Sequence, residues 1–551
     1  MVRLTSISRL SGSIYRFLKR LGIAPPTSLY HRSQRVIASK QKWGEAEVAL
    51  RDEIRAAKNS STARLLNRKL LDRIEALDDS ATASPMTAAL FDNGPALREM
   101  ADPTVAIEIT DDKDLTDSQN DALQKGVGNR FLVLLGAAST GKTRVTTKLI
   151  RKFVAAGQTT LLCCYTKAAL THTVNHIDDD TRTSIFFRAR TFGSLVMEEV
   201  TTEFDNIIVD EAGMASIAYI LYLSSICRQR LVFVGDPMQL GPIASTDREE
   251  SPWLRQNVFQ KLSGMDNLSQ LYSWQENNSD LAVLLRDQFE VPERIFNIIN
   301  HFCYGNRLNN RTQGRGLISI IDTSELSPPL IGSRRSPVNA AHAEIVVSTL
   351  GELLTKQSVT AEGIGIITPF RAQSRYIQQL MASRGLPAAL EIGTPYVWQG
   401  RMKSVVVLDL TVSGVDHQFR ALSDDNQAMA LMNASLTRCR TNRGTEGRLI
   451  VVCNLDHVDA AYGDSAVTRF LDRLVSNADS ITKPTEAISA DQGLADDDTQ
   501  RYAQLTDTLV REFSSKYQAV SESLAGNDLP DESEVETLIW EGYDLIPRLI
   551  G

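Results

Sequence analysis

The segment LLGAASTGKTR, residues 134–144, constrains the fold of this chain more than any other stretch. It fits the phosphate-binding pattern G-x-x-x-x-G-K-[ST], with Gly136, Gly141, Lys142 and Thr143 at the fixed positions. The apolar run FLVLLG precedes the loop, and TRVTTKLIRKFVAAG follows it at helical spacing. A strand, a glycine-rich turn and a helix in this order form the context in which the pattern binds phosphate.

The residues of this loop suit a nucleoside triphosphate and its metal ion. Glycines let backbone N–H groups turn inward toward a bound anion. We expect Lys142 to neutralise the β- and γ-phosphates and the Thr143 hydroxyl to hold Mg²⁺. The positions expected to bind ATP here are Gly136, Ala137, Ala138, Ser139, Thr140, Gly141, Lys142 and Thr143.

Two further apolar runs end in polar residues. NIIVDEAG (206–213) ends in Asp210 and Glu211, and RLVFVGDPMQLGPI (230–243) leads to Gln239. Such residues fall at the carboxyl edge of a sheet, where α/β proteins bind ligands. We expect Asp210 to hold Mg²⁺ through water, Glu211 to accept a proton from the attacking water, and Gln239 to reach the γ-phosphate. An isolated Asp-Glu pair is usually a solvated turn, but its place downstream of a phosphate loop favours catalysis.

Short apolar strands alternate with helices from about residue 103 to 475. Near-continuous β-branched runs of this kind indicate parallel strands buried on both faces, and hence α/β sheets. The runs fall into two groups around a gap near 280–360, which predicts two α/β domains in tandem. They are FLVLLG, TLLCCY, NIIVD, RLVFVG, GIGIIT, SVVVLDL and RLIVVC.

The two ends of the chain differ in composition from this α/β part. Residues 45–102 carry apolar stripes at helical spacing, which predict a helical hairpin, with a dimerising coiled coil as the alternative. The end of the chain is acidic with short helical pieces. The predicted regions are a basic arm (1–44), a helical region (45–102), two α/β domains (103–279 and 280–475) and an acidic helical C-terminal region (476–551).

Charge and cysteine usage restrict the compartment and the partners. The net charge is −8, but the first 44 residues contain no acid, which is typical of a mitochondrial transit peptide, a cationic arm that contacts nucleic acid, or a solvated terminus. These three alternatives stay open. The six cysteines are scattered without metal-binding spacing, as in an intracellular protein, cytoplasmic or nuclear. No apolar run reaches the roughly 18 residues of a membrane span.

The motifs together resemble those of a superfamily 1 helicase, in the up-frameshift-like branch of RNA helicases and their DNA-directed relatives. The resemblance covers roughly residues 112–457, and VDEAG and GDPMQLGPI match motifs II and III. LTDSQNDAL resembles the Gln motif, which implies that Gln119 lies on the adenine edge. CCYTKAAL and ARTFGSL resemble the motifs of the first domain that contact nucleic acid, which implies this role for Thr166, Lys167 and Thr191.

The second half of the chain continues the resemblance. GIGIITPFRAQ and EIGTPYVWQGRMKSVVVLDL resemble motifs IV and V, and MNASLTRCR resembles motif VI. The resemblance implies that Arg438 is an arginine finger, which neutralises charge on the transferred phosphoryl group. It also implies two tandem RecA-like phosphate-loop NTPase domains. The further residues implied here are Gly400 and Arg401 for ATP, and Thr368, Thr394 and Trp398 for nucleic acid.

Three departures from the family pattern stand out. Gln288-Phe289-Glu290 occupies the place of N/Q-Y-R, so a carboxylate stands where a second finger arginine is expected. Either Arg286 or Arg294 replaces that arginine from a neighbouring turn, or the unreplaced Glu290 would repel the γ-phosphate and slow hydrolysis. Met402 stands where the family carries Glu. Trp398 also replaces the usual Phe, and either base stacking or buried packing suits a lone aromatic residue there.

The resemblance implies an ATP-dependent helicase or translocase that requires ATP and Mg²⁺ and acts on single-stranded RNA or DNA. Hydrolysis in a cleft between the two domains would drive movement in the 5′-to-3′ direction. We expect a monomeric motor, with protein partners at its helical ends. One alternative is a nucleotide-gated clamp with ATPase activity and little unwinding. A scaffold without catalysis is disfavoured by the intact motif residues.

Overall fold

The computed structural model describes the α/β part of the chain and short pieces of the region before it. The basic arm (1–44) and the acidic region from residue 485 onward lie outside the described residues. No helix within the described ranges combines the length and apolarity that a bilayer crossing demands. These ranges are 46, 48–51, 54, 61–76, 86–87, 90, 107, 112–198, 203–242, 252–264, 268–326, 330–333, 336–355, 359–412, 419–442 and 445–484.

The chain divides into two compact units. The first runs to Leu135 and continues through Lys142–Gly235 and Gly241–Leu284. The second begins at Leu285 and also includes Gly136–Gly141 and Asp236–Leu240. The phosphate loop and the segment that carries Gln239 therefore group with the second unit.

The first unit alternates helices and strands along the chain. A one-turn 3₁₀ helix, Ala212–Met214, follows its fourth strand. The other elements are α1 (Ser61–Ala76), α2 (Asp117–Gly128), β1 (Phe131–Gly136), α3 (Lys142–Ala155), β2 (Thr160–Cys164), α4 (Lys167–Val174), α5 (Asp179–Arg182), β3 (Phe187–Thr191), α6 (Phe192–Met197), β4 (Phe204–Asp210), α7 (Ile217–Ser225), β5 (Cys227–Gly235), α8 (Pro252–Arg255), α9 (Val258–Ser263), α10 (Leu268–Asn277) and β6 (Ala282–Leu285).

A six-stranded sheet forms the centre of the first unit, in the order β3-β2-β4-β5-β1-β6. Strands β1 and β5 pair in parallel with Leu135 opposite Gly235, and β4 pairs in parallel with β2 and β5. Every residue of β1 and β2 is buried, as expected for strands covered on both faces. The shared strand direction brings the ends of β1, β4 and β5 to one edge of the sheet.

The second unit repeats this alternation with its own sheet. A 3₁₀ turn, Ala361–Gly363, leads into its β12 strand. The elements are β7 (Asp287–Gln288), α11 (Glu293–Tyr304), β8 (Asn309–Asn310), β9 (Leu317–Asp322), β10 (Ile331–Ser333), β11 (Ser336–Val338), α12 (Ala340–Thr355), β12 (Ile364–Ile367), α13 (Arg371–Ser383), β13 (Glu391–Gly393), β14 (Val405–Asp409), α14 (Arg420–Ser423), α15 (Asp425–Leu436), β15 (Arg448–Cys453), α16 (Leu455–Tyr462), α17 (Ala466–Ser476) and β16 (Ser480–Thr482).

The main sheet of the second unit is wholly parallel, in the order β13-β12-β14-β15-β9-β16. Its core packs α12 and α13 against the apolar faces of β12 and β14, with Val346, Leu350 and Ile377 fully or almost fully buried. Each such aliphatic side chain contributes about 1.5–3 kcal/mol when it leaves water. The predicted α/β fold class with two parallel sheets is confirmed.

The helical region before residue 103 is described in part. α1 packs against α6 and α7. Leu66, Leu70 and Ile74, three of the five residues of the stripe predicted from the sequence, are buried. The apolar periodicity of this helix therefore corresponds to its packed face.

The structure corrects the predicted gap near 280–360. That stretch contains β9, which pairs with β15 and β16 inside the second sheet. Its sequence LISIID alternates between buried and half-buried positions, so it lacks the continuous apolar run of the other strands. β3, with the polar sequence FRART, is likewise a sheet strand that the apolar pattern does not reveal.

Candidate functional site

The phosphate loop joins the end of β1 to the start of α3. Two of its residues have left-handed backbone, Ser139 with φ 59° and Gly141 with φ 89°. Thr140 is fully buried, and its hydroxyl donates to the carbonyl of Ala137 at 2.9 Å. Left-handed geometry at a non-glycine residue costs about 1–3 kcal/mol and persists where the surroundings enforce it, often at functional sites. The loop thus has a fixed and strained conformation immediately before Lys142.

Asp210 ends β4 as a buried carboxylate. Its Oδ2 accepts from the Thr173 hydroxyl at 3.0 Å, and its Oδ1 accepts from the Glu211 N–H at 3.0 Å. Burial, followed by the charge of Glu211, raises the pKa of Asp210 to about 6, although Lys142 and Thr173 act in the opposite direction. A nearby cation would stabilise the ionised form of a carboxylate whose pKa is raised in this way.

The oxygen ligands present in the first unit fit Mg²⁺. Mg²⁺ is usually held by one or two carboxylates with waters and substrate phosphates, and the Asp210 carboxylate and Thr143 hydroxyl are donors of this kind. Among the described residues no cluster of three or more His, Cys, Asp or Glu could hold a metal alone. The Asp210 carboxylate and the Thr143 hydroxyl suit a metal that also binds nucleotide phosphates.

Glu211, which follows Asp210 at the end of β4, also has an unusual backbone conformation. Its φ of 53° and ψ of 42° are left-handed, and it caps the 3₁₀ turn Ala212–Met214 without a side-chain hydrogen bond to it. Left-handed Glu is uncommon, and an outlier beside a buried carboxylate favours a functional interpretation.

Gln239 and Arg438 meet inside the second unit. Arg438 is 3% exposed, and its Nη2 donates to Gln239 Oε1 at 3.3 Å and to the Thr437 hydroxyl at 2.9 Å. Its Nε donates to the carbonyl of Ala434 at 2.7 Å, and its Nη1 to that of Trp398 at 3.2 Å. These four acceptors are uncharged, and together they orient the guanidinium.

Gln119 is 2% exposed and takes part in a helix cap. Its Oε1 accepts from the Thr116 N–H at 3.2 Å, and its own N–H donates to the Thr116 hydroxyl at 3.4 Å. This reciprocal pair is a capping box at the start of α2. An adenine contact by Gln119 stays a prediction.

Gly400 and Arg401 lie on an exposed turn of the second unit. Gly400 has a φ of 72°, a conformation that favours glycine. Arg401 pairs with Glu391 at 2.9 Å, and Lys403 pairs with the same carboxylate at 2.6 Å. The contact of Gly400 and Arg401 with ATP stays a prediction.

The first-unit residues predicted to bind nucleic acid follow two neighbouring strands. Thr166 caps α4, and its Oγ1 accepts from the Ala169 N–H at 3.1 Å. Thr191 is fully buried in a capping box with Ser194 at the start of α6. Lys167, by contrast, is exposed. Of the three predicted residues, Lys167 presents a charged group that a backbone phosphate can reach.

The second-unit residues of this prediction are buried. Thr368 is fully buried, and its hydroxyl pairs with that of Thr411 at 2.8 Å; Thr394 is 7% exposed. Trp398 is 1% exposed, and its Nε1 donates to the Ile366 carbonyl at 2.9 Å. Its ring fills the space beside Gly365, where a Cβ would lie 2.4 Å from it. Trp398 is therefore a packing residue, and its ring is not exposed for base stacking.

Sequence reasoning missed a buried polar network around Asp409. Its Oδ1 accepts from His342 Nδ1 at 2.8 Å and from the Thr411 N–H at 2.7 Å, and its Oδ2 accepts from Gln373 Nε2 at 2.7 Å. Thr411 has a φ of 66°, which is unusual for a β-branched residue. The network fixes this strained turn at the carboxyl edge of the second sheet, next to Thr368. His342 and Gln373 are far from Asp409 in sequence, so no local pattern could have revealed their contacts with it.

Comparisons with known proteins find similarity over the α/β part of the chain. Two family models, each described as an AAA domain, match residues 114–283 and 265–456. The chain is 22% identical over 387 residues to the DNA replication ATP-dependent helicase/nuclease JHS1 of Arabidopsis thaliana, which covers 59% of this chain. It is 26% identical over 264 residues to the ATP-dependent helicase upf1 of Schizosaccharomyces pombe, which covers 43% of this chain. These matches, at low identity, support the resemblance of the chain to the up-frameshift-like superfamily 1 helicases.

The relatives are longer than the part that they share with this chain. The matched stretches span 27% of the Arabidopsis protein and 26% of the fission-yeast protein. A solved structure of Arterivirus nonstructural protein 10 (helicase) with DNA is 13% identical, with a TM-score of 0.33, over 63% of this chain and 65% of that one.

Two departures from the superfamily 1 pattern converge on one hydroxyl group. The Ser139 hydroxyl donates to Glu290 Oε2 at 2.6 Å and lies 3.2 Å from Met402 Sδ. The Phe289 N–H donates to the Ser139 carbonyl at 3.2 Å. All four residues belong to the second unit. The carboxylate that replaces the expected arginine therefore contacts the phosphate loop directly.

Phe289 is a candidate site residue that sequence reasoning did not single out. It keeps 43% of its surface exposed beside the phosphate loop. Gln288, fully buried, braces this turn, because its Oε1 accepts from the N–H groups of Glu290 and Val291. An exposed aromatic ring next to a phosphate loop can stack on a nucleobase. An aromatic residue between two polar ones was the available sequence signal.

Proposed function

We propose that this chain is an ATP-dependent helicase or translocase that moves along single-stranded RNA or DNA in the 5′-to-3′ direction. The observation that carries the proposal is the buried hydrogen bond from Arg438 to Gln239, which pairs the candidate finger with the candidate γ-phosphate sensor. Such a pair suits a site where charge develops on a transferred phosphoryl group.

Each polar residue has one role in the proposed hydrolytic step. The phosphate loop and Lys142 bind the β- and γ-phosphates. Thr143 and Asp210 would hold Mg²⁺, which would neutralise part of the phosphate charge when bound. Glu211 accepts the proton of the attacking water as its oxygen bonds to the γ-phosphorus and the bond to ADP breaks. Arg438 then stabilises the charge on the transferred group.

Strand movement requires contacts that change during this cycle. The exposed Lys167 supports a phosphate contact in the first unit. The strained turn at Thr411, braced by Asp409, supports a second contact region at the sheet edge near Thr368. The direction of movement rests on the family branch. Protein partners at the N- and C-terminal regions, a monomeric state and an intracellular location belong to the same proposal.

Strand-stimulated ATP hydrolysis tests the proposal. We expect single-stranded nucleic acid to raise phosphate release by the wild-type chain, and Lys142→Ala to lower it by about a hundredfold or more. Lys152→Ala, at the far end of α3, is the matched control and is expected to retain activity. Parallel titrations with single-stranded RNA and DNA identify the substrate, and 5′- and 3′-tailed duplexes identify the direction. Equal phosphate release by wild type and Lys142→Ala would refute the proposal.

The contact between Glu290 and Ser139 favours a second candidate, a nucleotide-gated clamp that hydrolyses ATP and unwinds little. A carboxylate against the phosphate loop opposes the entry of another anion and slows the cycle. Clear ATP turnover without displacement of either tailed duplex would support the clamp over the helicase.

A further inference from the structure

A chain of buried hydrogen bonds in the second unit includes a tyrosine outside the helicase motifs. Tyr304 is the last residue of α11 and is 1% exposed. Its hydroxyl donates to Asp236 Oδ2 at 2.6 Å and accepts from Asn433 Nδ2 at 2.8 Å. A hydroxyl bound to a buried carboxylate at this length forms a strong, charge-assisted hydrogen bond.

Asp236 is held through both of its carboxylate oxygens. Oδ1 accepts from the Met238 N–H at 3.0 Å, and Oδ2 accepts from Gln239 Nε2 at 2.8 Å as well as from Tyr304. The residue is 3% exposed, so these donors replace the water that an ionised carboxylate would otherwise bind.

This arrangement decides which way the Gln239 side chain faces. The two ends of an amide are almost the same in shape, so its hydrogen-bond partners fix its orientation. The Asp236 carboxylate only accepts and therefore selects the NH₂ end. The Gln239 oxygen then faces Arg438, whose Nη2 can only donate.

Asn433 ties the same chain to the helix that precedes Arg438. It lies in α15 and is fully buried, and its Nδ2 donates to the Met238 carbonyl at 2.8 Å as well as to Tyr304. The hydrogen bonds therefore run from α15 through Tyr304 and Asp236 to Gln239, and return to Arg438 just beyond α15.

We propose that Tyr304 is a positioning residue for ATP hydrolysis, which acts through Asp236 to hold the Gln239 amide oxygen toward Arg438. This inference rests on the proposed function. ATP affinity in the ground state comes mainly from the phosphate loop and Lys142, whereas Gln239 and Arg438 act on charge that develops in the transition state. Loss of the Tyr304 hydroxyl therefore slows the hydrolytic step and leaves ATP binding unchanged.

The test compares Tyr304→Phe with a matched loss of another buried hydroxyl. Tyr462→Phe is the control. The Tyr462 hydroxyl accepts from the Phe419 N–H at 3.1 Å and makes no hydrogen bond to Asp236, Gln239 or Asn433. For each full-length protein, kcat and KM for ATP are measured with saturating single-stranded nucleic acid, together with the Kd of a fluorescent ATP analogue and the melting temperature. Asp236→Asn is the second variant. It replaces one carboxylate oxygen with an NH₂ group, which cannot accept a hydrogen bond from the donors that surround Asp236.

We expect Tyr304→Phe to lower kcat roughly tenfold, with KM and Kd within about twofold of wild type. Asp236→Asn is expected to show the same separation, and Tyr462→Phe to match wild type. A kcat for Tyr304→Phe within twofold of wild type, or an equal loss in Tyr462→Phe, overturns the inference while the proposed function stands. Absence of ATP hydrolysis by the wild-type chain with either nucleic acid overturns both.

Discussion

The Ser139 hydroxyl of the phosphate loop donates a 2.6 Å hydrogen bond to the carboxylate of Glu290. This carboxylate occupies the position at which the superfamily pattern has an arginine, so the charge next to the loop is reversed. Under the proposed function, nucleotide phosphates approach this site against the charge of Glu290. The contact also helps to explain why Ser139 keeps its left-handed backbone, since its carbonyl accepts from the neighbouring Phe289.

Removal of this charge is expected to strengthen nucleotide binding. Glu290→Gln keeps the shape of the side chain and its hydrogen bond to Ser139, and we expect ATP affinity to rise about fivefold or more, equivalent to about 1 kcal/mol. Titration of a fluorescent ATP analogue at low salt measures the change. Glu293→Gln, an exposed neighbour, is the control. Unchanged affinity in Glu290→Gln would show that the carboxylate does not oppose the nucleotide.

Asp210 is expected to link stability to pH. Its pKa is raised to about 6, above the ordinary value of 3.8, so the folded state binds this proton more tightly than the unfolded state does. The stability that protonation contributes is present below about pH 4 and is lost as pH rises through about 6. Without Mg²⁺, Asp210→Asn is therefore expected to raise the free energy of unfolding by about 1–3 kcal/mol at pH 7.5, with a smaller gain at pH 5.

Urea denaturation at both pH values measures this effect. The same variant is expected to lose Mg²⁺-dependent hydrolysis, because an amide does not replace the anionic oxygens that hold the metal shell. Asp178→Asn serves as the control of opposite sign, since hydrogen bonds from Thr181 hold the pKa of Asp178 below its usual value. A stability gain that is equal at pH 5 and pH 7.5 would contradict the prediction.

Arg230 in the first unit is a buried cation with uncharged acceptors. Its Nη1 donates to Gln158 Oε1 at 3.0 Å and Asn206 Oδ1 at 3.2 Å, and its Nε donates to the Val127 carbonyl at 3.0 Å. Burial lowers the pKa of Arg230 to about 10. Arg230→Met fills similar space but leaves these acceptors without their donor, so we expect a loss of about 2–4 kcal/mol in the free energy of unfolding.

Chemical denaturation of Arg230→Met tests this expectation beside Arg228→Met. Arg228 pairs with Glu203 at 2.6 Å on the surface, where ion pairs contribute little, so its replacement is expected to cost less than about 1 kcal/mol. Equal losses in the two variants would mean that the buried hydrogen bonds are not a net source of stability.

Phe289 is expected to contribute to nucleotide affinity through its exposed ring. Phe289→Ala is predicted to raise the Kd for ATP by about five- to tenfold, whereas Phe289→Tyr, which keeps the ring, stays near wild type. The same change in Kd for inorganic triphosphate, which lacks a base, would contradict a stacking role. Equilibrium titration with both ligands separates these outcomes.

The sequence predicts the strands that combine burial with a continuous apolar run. β14, with VVVLD, is such a strand, and its pairing with β12 and β15 follows the expected parallel arrangement. β3 and β9 lack a continuous apolar run, so the pattern does not predict them. Pairing with a neighbouring strand holds each of them in its sheet. Boundaries of the predicted domains stay predictions.

The candidate site shows the same limit in its side chains. A motif identifies Thr191 and Thr368 by type and order, but only the fold reveals that a helix cap and Thr411 occupy their hydroxyls. Tyr304 and His342 reach their partners from distant parts of the chain, so spacing carries no signal for them. The partners of a side chain can thus be predicted where the local backbone positions that side chain. They cannot be predicted where tertiary contacts position it.

The burial of all six cysteines has a practical consequence. Burial raises the pKa of each thiol above its usual value, to about 12 for Cys227, so none offers a reactive thiolate at neutral pH. A cysteine introduced at an exposed position such as Asp180 would react with a maleimide dye ahead of the native thiols. The chain therefore accepts a site-specific fluorescent label for single-molecule tracking without prior removal of its own sulfhydryl groups.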